Sequence, residues 1–193
     1  VGRRPCFAAG TPVLTPTGEK NVEEFRVGDE VLSRPEGDPL GPVEARTVEM
    51  VFVGSAPVVN LHVGGRVIRT TAGHPFWVGG KEWMPAGQLR RGDLLLGHDG
   101  RWVPVDEVTD SGEVVTVHNV RVAGHHTYFV GCQEWGFSVW AHNSNLCIDG
   151  SFFGKTPERV REAIPKGWTQ RKAASGHGWV LVDETGAERV RYM

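Results

Sequence analysis

Long apolar runs are missing from this sequence. No stretch approaches the ~20 consecutive apolar residues that a membrane-spanning helix needs, and residues 1–10 (VGRRPCFAAG) hold no apolar run of signal-peptide length. A soluble protein is expected, and a start at Val leaves room for an upstream segment carrying any export signal. Charge of one sign is missing too. With 21 Lys and Arg against 23 Asp and Glu, the net charge is −2, a field too weak to imply nucleic acid or an anionic membrane as partner. Cysteine is scarce: Cys6, Cys132 and Cys147 are odd in number and form no CxxC pair, which argues against a disulfide framework or a zinc cluster and leaves a free thiol. No metal and no cofactor are expected. Long Ala, Glu and Lys runs of helical character are rare as well. In their place stand 26 glycines among 193 residues, close to twice the ~7% norm, which favours turns and short strands over a helical bundle.

What is present is an internal repeat. GEKNVEEFRVGDEVL at 18–32 is echoed by GKEWMPAGQLRRGDLLL at 80–96, each a charged turn, a short amphipathic stretch, then Gly-Asp and an apolar strand. VVNLHV at 58–63 is echoed by VVTVHNVRV at 114–122, and HPFWVGG from His74 by HTYFVG from His126. Three echoes in one order imply a duplicated unit whose two sub-sheets bury their apolar faces against each other across a pseudo-twofold axis. Strands are expected at 47–53, 58–63, 67–71, 76–78, 94–96, 102–105, 114–122, 127–130 and 137–140, bounded by Gly, Pro or Asp. One short helical turn is expected at each of 21–25 and 85–89. SRPEGDPLG at 33–41 reads as a loop, because its prolines and turn formers leave no ladder. The fold class is therefore small all-β.

After Asn143 the texture changes. GKTPERVREAIPKG at 154–167 predicts a helix with Thr156 as N-cap, Pro157 in the first helical position, and Val160 and Ile164 on one face. WVLVDETGAERVRYM at 179–193 reads as strand, turn, strand. This α+β extension is too small for a comfortable core of its own, and His177 between two glycines reads as a loop residue rather than a catalytic one.

Several residues could carry chemistry. Cys6 sits before small residues with no helical pattern to bury it. In TTAGHPF, Thr71 and His74 could converge on one peptide group, and an imidazole can hold a proton against a backbone nitrogen and release it. In SVWAHNSN, Asn143 follows His142 where the β-rich part ends. An Asn side-chain amide can attack its own main-chain carbonyl, giving a succinimide and severing the next bond, if the carbonyl is polarised and the leaving nitrogen protonated. Each pattern alone also suits an ordinary structural residue. A thiol peptidase acting in trans is disfavoured, since no third group is seen to orient a Cys-His pair.

Together, Cys6, Thr71-Ala72-Gly73-His74, His126-Thr127-Tyr128-Phe129 and Ala141-His142-Asn143-Ser144 resemble the Hint superfamily of inteins and Hedgehog autoprocessing domains. CFAAGTPVLTPTGEKNVEEFRVGDEVLS is similar to the bacterial intein-like and pretoxin Hint domains that precede toxin modules in large secreted proteins. The resemblance implies a disk-like, pseudo-twofold all-β unit at 6–143, an upstream flank at 1–5, and the start of a toxin module at 144–193. It implies that Cys6 attacks the Pro5 carbonyl in an N-to-S acyl shift, with Thr71 and His74 straining and protonating that amide. It further implies that His126 and His142 assist cyclisation of Asn143, and that Ser144 stands where a splicing acceptor would. Asn119, in VHNVRV, replaces an Asp often found there and cannot act as acid or base; it is at most an accessory residue. The implied partners are the chain's own flanks and an immunity protein for the complete toxin, with the domain itself a monomer. The alternatives left open are full splicing of the flanks and a non-catalytic presentation module.

Overall fold

In the computed structural model, which describes residues 5–143 and the strand segments Thr169–Lys172, Trp179–Val182 and Glu188–Tyr192, the two Gly-Asp pairs close matching turns. Gly28 N–H donates to the Val48 carbonyl at 2.9 Å, and Val48 N–H donates to the Asp29 carbonyl at 2.7 Å. Gly92 and Asp93 make the same two bonds with Val105, at 2.9 and 2.8 Å. Each Asp carboxylate also takes a nearby backbone N–H and a lysine: Arg26 and Lys20 for Asp29, Arg90 and Lys81 for Asp93. The glycines have φ of +97° and +88°, a conformation that a side chain would strain.

The elements around these turns repeat in order. The first half runs β1 (Phe7–Ala8), β2 (Pro12–Thr15), β3 (Gly18–Asn21), β4 (Glu30–Ser33), β5 (Glu44–Val63) and β6 (Arg66–Thr70). The second runs β7 (Pro75–Val78), β8 (Glu82–Pro85), β9 (Leu94–Leu96), β10 (Trp102–Val122), β11 (Thr127–Cys132) and β12 (Phe137–His142). The hairpins β2–β3 and β7–β8 each lead into a single 3-10 turn, Val22–Glu24 and Ala86–Gln88. These are the two expected helical turns.

β5 and β10 cross the molecule as one antiparallel pair. Val48 lies opposite Val122 and Val105 opposite Val63, so the valine clipped by each Gly-Asp turn meets the far end of the partner strand. All four are buried at 0–1% exposure, each contributing about 1.5–3 kcal/mol. The separate strands expected at 47–53 and 58–63 are a single strand, as are those at 102–105 and 114–122. The apparent breaks at Gly54 to Pro57 and Asp110 to Glu113 are carried by continued pairing, with bulges between Val105 and Glu107, Asp110 and Val114, and Arg121 and Val122.

The main core joins Val13, Val31 and Leu61 of the first half to Phe76, Leu95 and Val130 of the second. A second cluster gathers Leu14, Leu96, Phe129 and Trp140, with Trp77 and Trp83 against it. β1 is inserted inside the sheet, with Phe7 paired to His118 of β10 on one side and Thr70 of β6 on the other. Two residues of strand thus carry the N-terminal peptide into the interior.

Gly131 of β11 lies opposite Ser138 of β12. A Cβ there would come within 2.4 Å of the Phe137 carbonyl oxygen and 2.7 Å of Ser138 Cα, at a φ of +152°. Strain and overpacking together predict that Gly131→Ala destabilises the domain by roughly 3 kcal/mol or more. Denaturant unfolding of the two proteins measures it, and a change under ~1 kcal/mol would contradict the packing.

A second compact unit holds β13 (Thr169–Lys172), β14 (Trp179–Val182) and β15 (Glu188–Tyr192), an antiparallel sheet in that order. β14 and β15 are the two strands expected from the sequence, and β13 was not anticipated. The helix expected at 154–167, Cys147, His177 and Ser144 lie outside the described residues. Among the described residues no helix is long and apolar enough to cross a membrane.

Candidate functional site

β1 delivers the Pro5/Cys6 peptide to a site where side chains, rather than a sheet ladder, hold both of its polar atoms. Cys6 N–H donates to Thr71 Oγ at 3.0 Å, and Asn119 Nδ2 donates to the Pro5 carbonyl at 2.7 Å. The Cys6 carbonyl accepts from Thr70 Oγ at 2.9 Å and from Thr71 N–H at 3.0 Å. Cys6 itself is buried at 3% exposure.

Asn119 has no rotational freedom in this arrangement. Its Oδ1 accepts from the Tyr128 hydroxyl at 2.6 Å and from Val120 N–H at 2.8 Å, which directs Nδ2 at Pro5. Burial, then the nearby Cys6 sulfur, push the Tyr128 phenol well above its usual range, so it stays a neutral donor. Replacing the expected acid by an amide therefore places a neutral N–H on the carbonyl that a thiol would attack. Neither the motif nor the spacing signalled this contact.

His74 is fully buried, with its ring 4.1 Å from that of Phe7 and 5.5 Å from that of Phe76. Burial lowers its pKa to about 3, although the Cys6 backbone amide lies near enough to pull it upward and His142 pushes it down. Among the described residues neither ring nitrogen has a partner within hydrogen-bonding geometry. A neutral imidazole whose two buried nitrogens lack partners is costly, and groups of this kind concentrate at functional sites. It also makes the fold acid-sensitive. The unfolded chain binds a proton on His74 below about 6.5 that the folded chain refuses until about 3, so stability should fall as pH drops through that window, by up to about 1.4 kcal/mol per unit. Thermal unfolding from pH 7 to pH 4.5 should show a steep decline that flattens in His74→Phe; equal slopes would contradict the buried neutral ring.

At the other end, β12 brings His142 opposite Thr127, and Asn143 N–H donates to the His126 carbonyl at 2.9 Å. Asn143 is 1% exposed; its Nδ2 donates to the Val120 carbonyl at 2.8 Å, and its Oδ1 has no hydrogen-bond partner among the described residues. His126 adopts φ of +57°, uncommon for a residue with a side chain and frequent at functional sites. Consecutive residues of β10 therefore hold both ends of residues 5–143: Asn119 the Pro5 carbonyl, Val120 the Asn143 amide. Residues far apart in the chain share one site for that reason.

Glu36, in the loop after β4, was not foreseen. Its Oε2 lies 2.5 Å from His142 Nε2 and its Oε1 3.3 Å from His126 Nδ1. Partial burial would raise its pKa, but the hydrogen bonds and positive potential of the two histidines outweigh this and hold it at about 2. With 90 and 106 residues separating it from its partners, no local pattern in SRPEGDPLG could reveal it. Among the described residues no group of three or more His, Cys, Asp or Glu is arranged to hold a metal ion.

The family model described as the pretoxin HINT domain matches residues 12–144. The solved bacterial intein-like domain from Clostridium thermocellum is 35% identical, with a TM-score of 0.64 over 72% of this chain and 98% of that one. The DnaB intein from Synechocystis sp. PCC 6803 (19% identity, TM-score 0.61, 72% and 99%) and the gp41-1 intein (21%, 0.59, 72% and 98%) share the fold. No curated protein matches the chain.

Proposed function

The chain belongs to the pretoxin HINT family, its fold is one capable of autoprocessing, and we propose that residues 6–143 act on their own backbone once, in cis, by an N-to-S acyl shift at Cys6 and by a cyclisation of Asn143 that cleaves the Asn143/Ser144 bond. Cys6 Sγ attacks the Pro5 carbonyl carbon, so the S–C bond forms as the C–N bond breaks. The thiol proton reaches the departing Cys6 nitrogen through the neutral ring of His74. Thr71 Oγ pins that nitrogen's hydrogen, and Asn119 Nδ2 takes up the negative charge developing on the carbonyl oxygen. At the downstream junction Asn143 Nδ2 attacks its own backbone carbonyl carbon. A succinimide forms, the bond to Ser144 breaks, and a proton delivered to the Ser144 nitrogen balances the one lost from Nδ2. His142 and His126 serve that transfer.

The observation that carries this reading is the pair of bonds from neighbouring β10 residues to the two junctions. Orientation of this kind supplies much of the barrier lowering that spontaneous Asn cyclisation lacks. The junctions are unequal, because a prolyl acyl group before Cys6 makes the upstream step the slower. The substrate is the chain's own flanks, 1–5 and 144–193. The domain is a monomer in a larger exported bacterial protein, and the segment it releases begins a toxin module with an immunity partner. Intact mass over time, with and without added thiol, tests the reading. Fragments beginning at Ser144 support it, a joined product of both flanks would make it splicing, and a chain that stays whole under all conditions would leave only presentation.

A further inference from the structure

The loop between β4 and β5 looks like a connection and is built like part of a site. Asp38 N–H donates to the Pro35 carbonyl at 3.0 Å and Gly41 N–H to the Asp38 carbonyl at 3.0 Å. Arg34 crosses the loop, donating to the Gly41 carbonyl at 3.0 Å and the His98 carbonyl at 3.2 Å, with its guanidinium over the rings of Phe129 and Trp140. Trp83 Nε1 donates to the Glu36 carbonyl at 3.1 Å, and the same indole stands edge-on to His142 at 4.9 Å between ring centroids. One side chain thus fixes both the Glu36 backbone and the histidine that its carboxylate meets.

We propose that Glu36 is the positioning residue of the downstream junction, binding His126 and His142 into one hydrogen-bonded unit and countering the positive charge on His142 as the Asn143/Ser144 bond breaks. This rests on the reading of Asn143 cyclisation given above. The 2.5 Å contact between the carboxylate oxygen and the imidazole nitrogen is a hydrogen bond with one proton between the two atoms. Glu36 is ionised across the ordinary pH range, so that proton resides on His142 Nε2, and the ring's tautomer and plane are set. In the reaction, Asn143 Nδ2 gives up a proton as it bonds to the carbonyl carbon, and the Ser144 nitrogen gains one as it leaves. The imidazole that relays this proton passes through its charged form in a site where His142 is 4% exposed. An imidazolium there without a counter-charge would be penalised by desolvation.

The other charged and titratable groups around the pair are committed elsewhere. Arg34 is bound to backbone carbonyls, and Asp38 accepts from Leu40 N–H at 3.1 Å. His98 meets Ser138 at 2.8 Å, and His125 faces Glu44 at 3.7 Å with Arg46 also beside it. His74, within the field of His142, is neutral. Glu36 is the acid whose two oxygens meet both rings.

The test uses the full chain with Glu36→Gln, which keeps an acceptor and loses the charge, and Glu36→Leu, which loses both. Intact mass over time from pH 5.5 to 8.5 follows the fragment beginning at Ser144. Near neutral pH, Glu36→Gln should slow its release by roughly 10-fold and Glu36→Leu by roughly 100-fold, the latter at the low end of what a proton-transferring group is worth. In both, the dependence of that rate on pH should differ from the parent's, because the charge facing the two rings is gone. Thiol-induced release at Pro5/Cys6 should continue at its parent rate. An unchanged pH profile in Glu36→Gln overturns the proposal, as does equal loss at both junctions, which would mean a structural role only. A second measurement does not depend on cleavage. In an Asn143→Ala background, nitrogen NMR should find a slowly exchanging proton on His142 Nε2 that disappears in Glu36→Leu. If that proton is present but the parent never cleaves after Asn143, the processing reading fails while the Glu36 unit stands. If the proton is absent, the Glu36 proposal fails whatever the parent does.

Discussion

On the proposed mechanism, Asn143→Ala should abolish scission at the Asn143/Ser144 bond, because no side-chain amide remains to form the succinimide and the Val120 carbonyl then has nothing to orient. The loss should exceed the ~10²-fold expected for His142→Ala, where a positioned proton relay is removed but the nucleophile is kept. Cys6→Ala should leave this step running. The Asn143 amide is held by Val120 and its N–H by the His126 carbonyl, and neither contact passes through the thiol. A mass-spectrometric time course of the four proteins reads all of this. Should Cys6→Ala stop cleavage after Asn143 as completely as Asn143→Ala does, the junctions are obligatorily coupled and splicing is the better description.

The second large effect belongs to Asn119. Asn119→Ala removes the donor to the Pro5 carbonyl and should slow thiol-induced release of residues 1–5 by about 10²–10³-fold, the usual loss for one oxyanion donor. Asn119→Asp should be at least as slow, since a carboxylate sets negative charge where the tetrahedral intermediate develops its own. Tyr128→Phe should give a smaller loss of roughly 10-fold, because the amide keeps its Val120 bond but loses the hydroxyl that fixes its rotamer. Scission after Asn143 should be largely unchanged in all three. Release at the parent rate in Asn119→Ala would show that the bond to Pro5 is structural.

Much of the architecture was legible because its determinants are local. A Gly at positive φ followed by an Asp that accepts from the residue three before it is a turn written in four residues, and it occurs at both 26–29 and 90–93. The 3-10 turns were legible for the same reason. The unity of β5 and of β10 was not, since Gly54, Pro57 and Asp110 to Glu113 are breakers by composition and only cross-strand pairing decides that Gly54 and Pro57 stay in register while the stretch between Asp110 and Val114 bulges. The tail helix expected at 154–167 falls beyond the described residues.

At the site, residue chemistry pointed to Cys6, Thr71, His74, His142 and Asn143, each pattern alone also suiting a structural residue, and it took the resemblance of the motifs in their order to nominate the set and to add His126. They could not say what Asn119 does. Read as a lost acid, it is in the structure an oriented donor, a role set by Tyr128 nine residues away and by a carbonyl 114 residues away. Nor could they single out Glu36, one of several acidic residues in loops. The duplicated turns, the all-β class and the candidate residues at the two ends are properties of short segments, in which φ preferences, side-chain chemistry and hydrogen bonds between near neighbours decide the outcome. The joining of the junctions at Asn119 and Val120, the neutral burial of His74 and the bridging by Glu36 depend on the register in which distant strands pair. That register is decided by packing of the whole core, which no short segment contains.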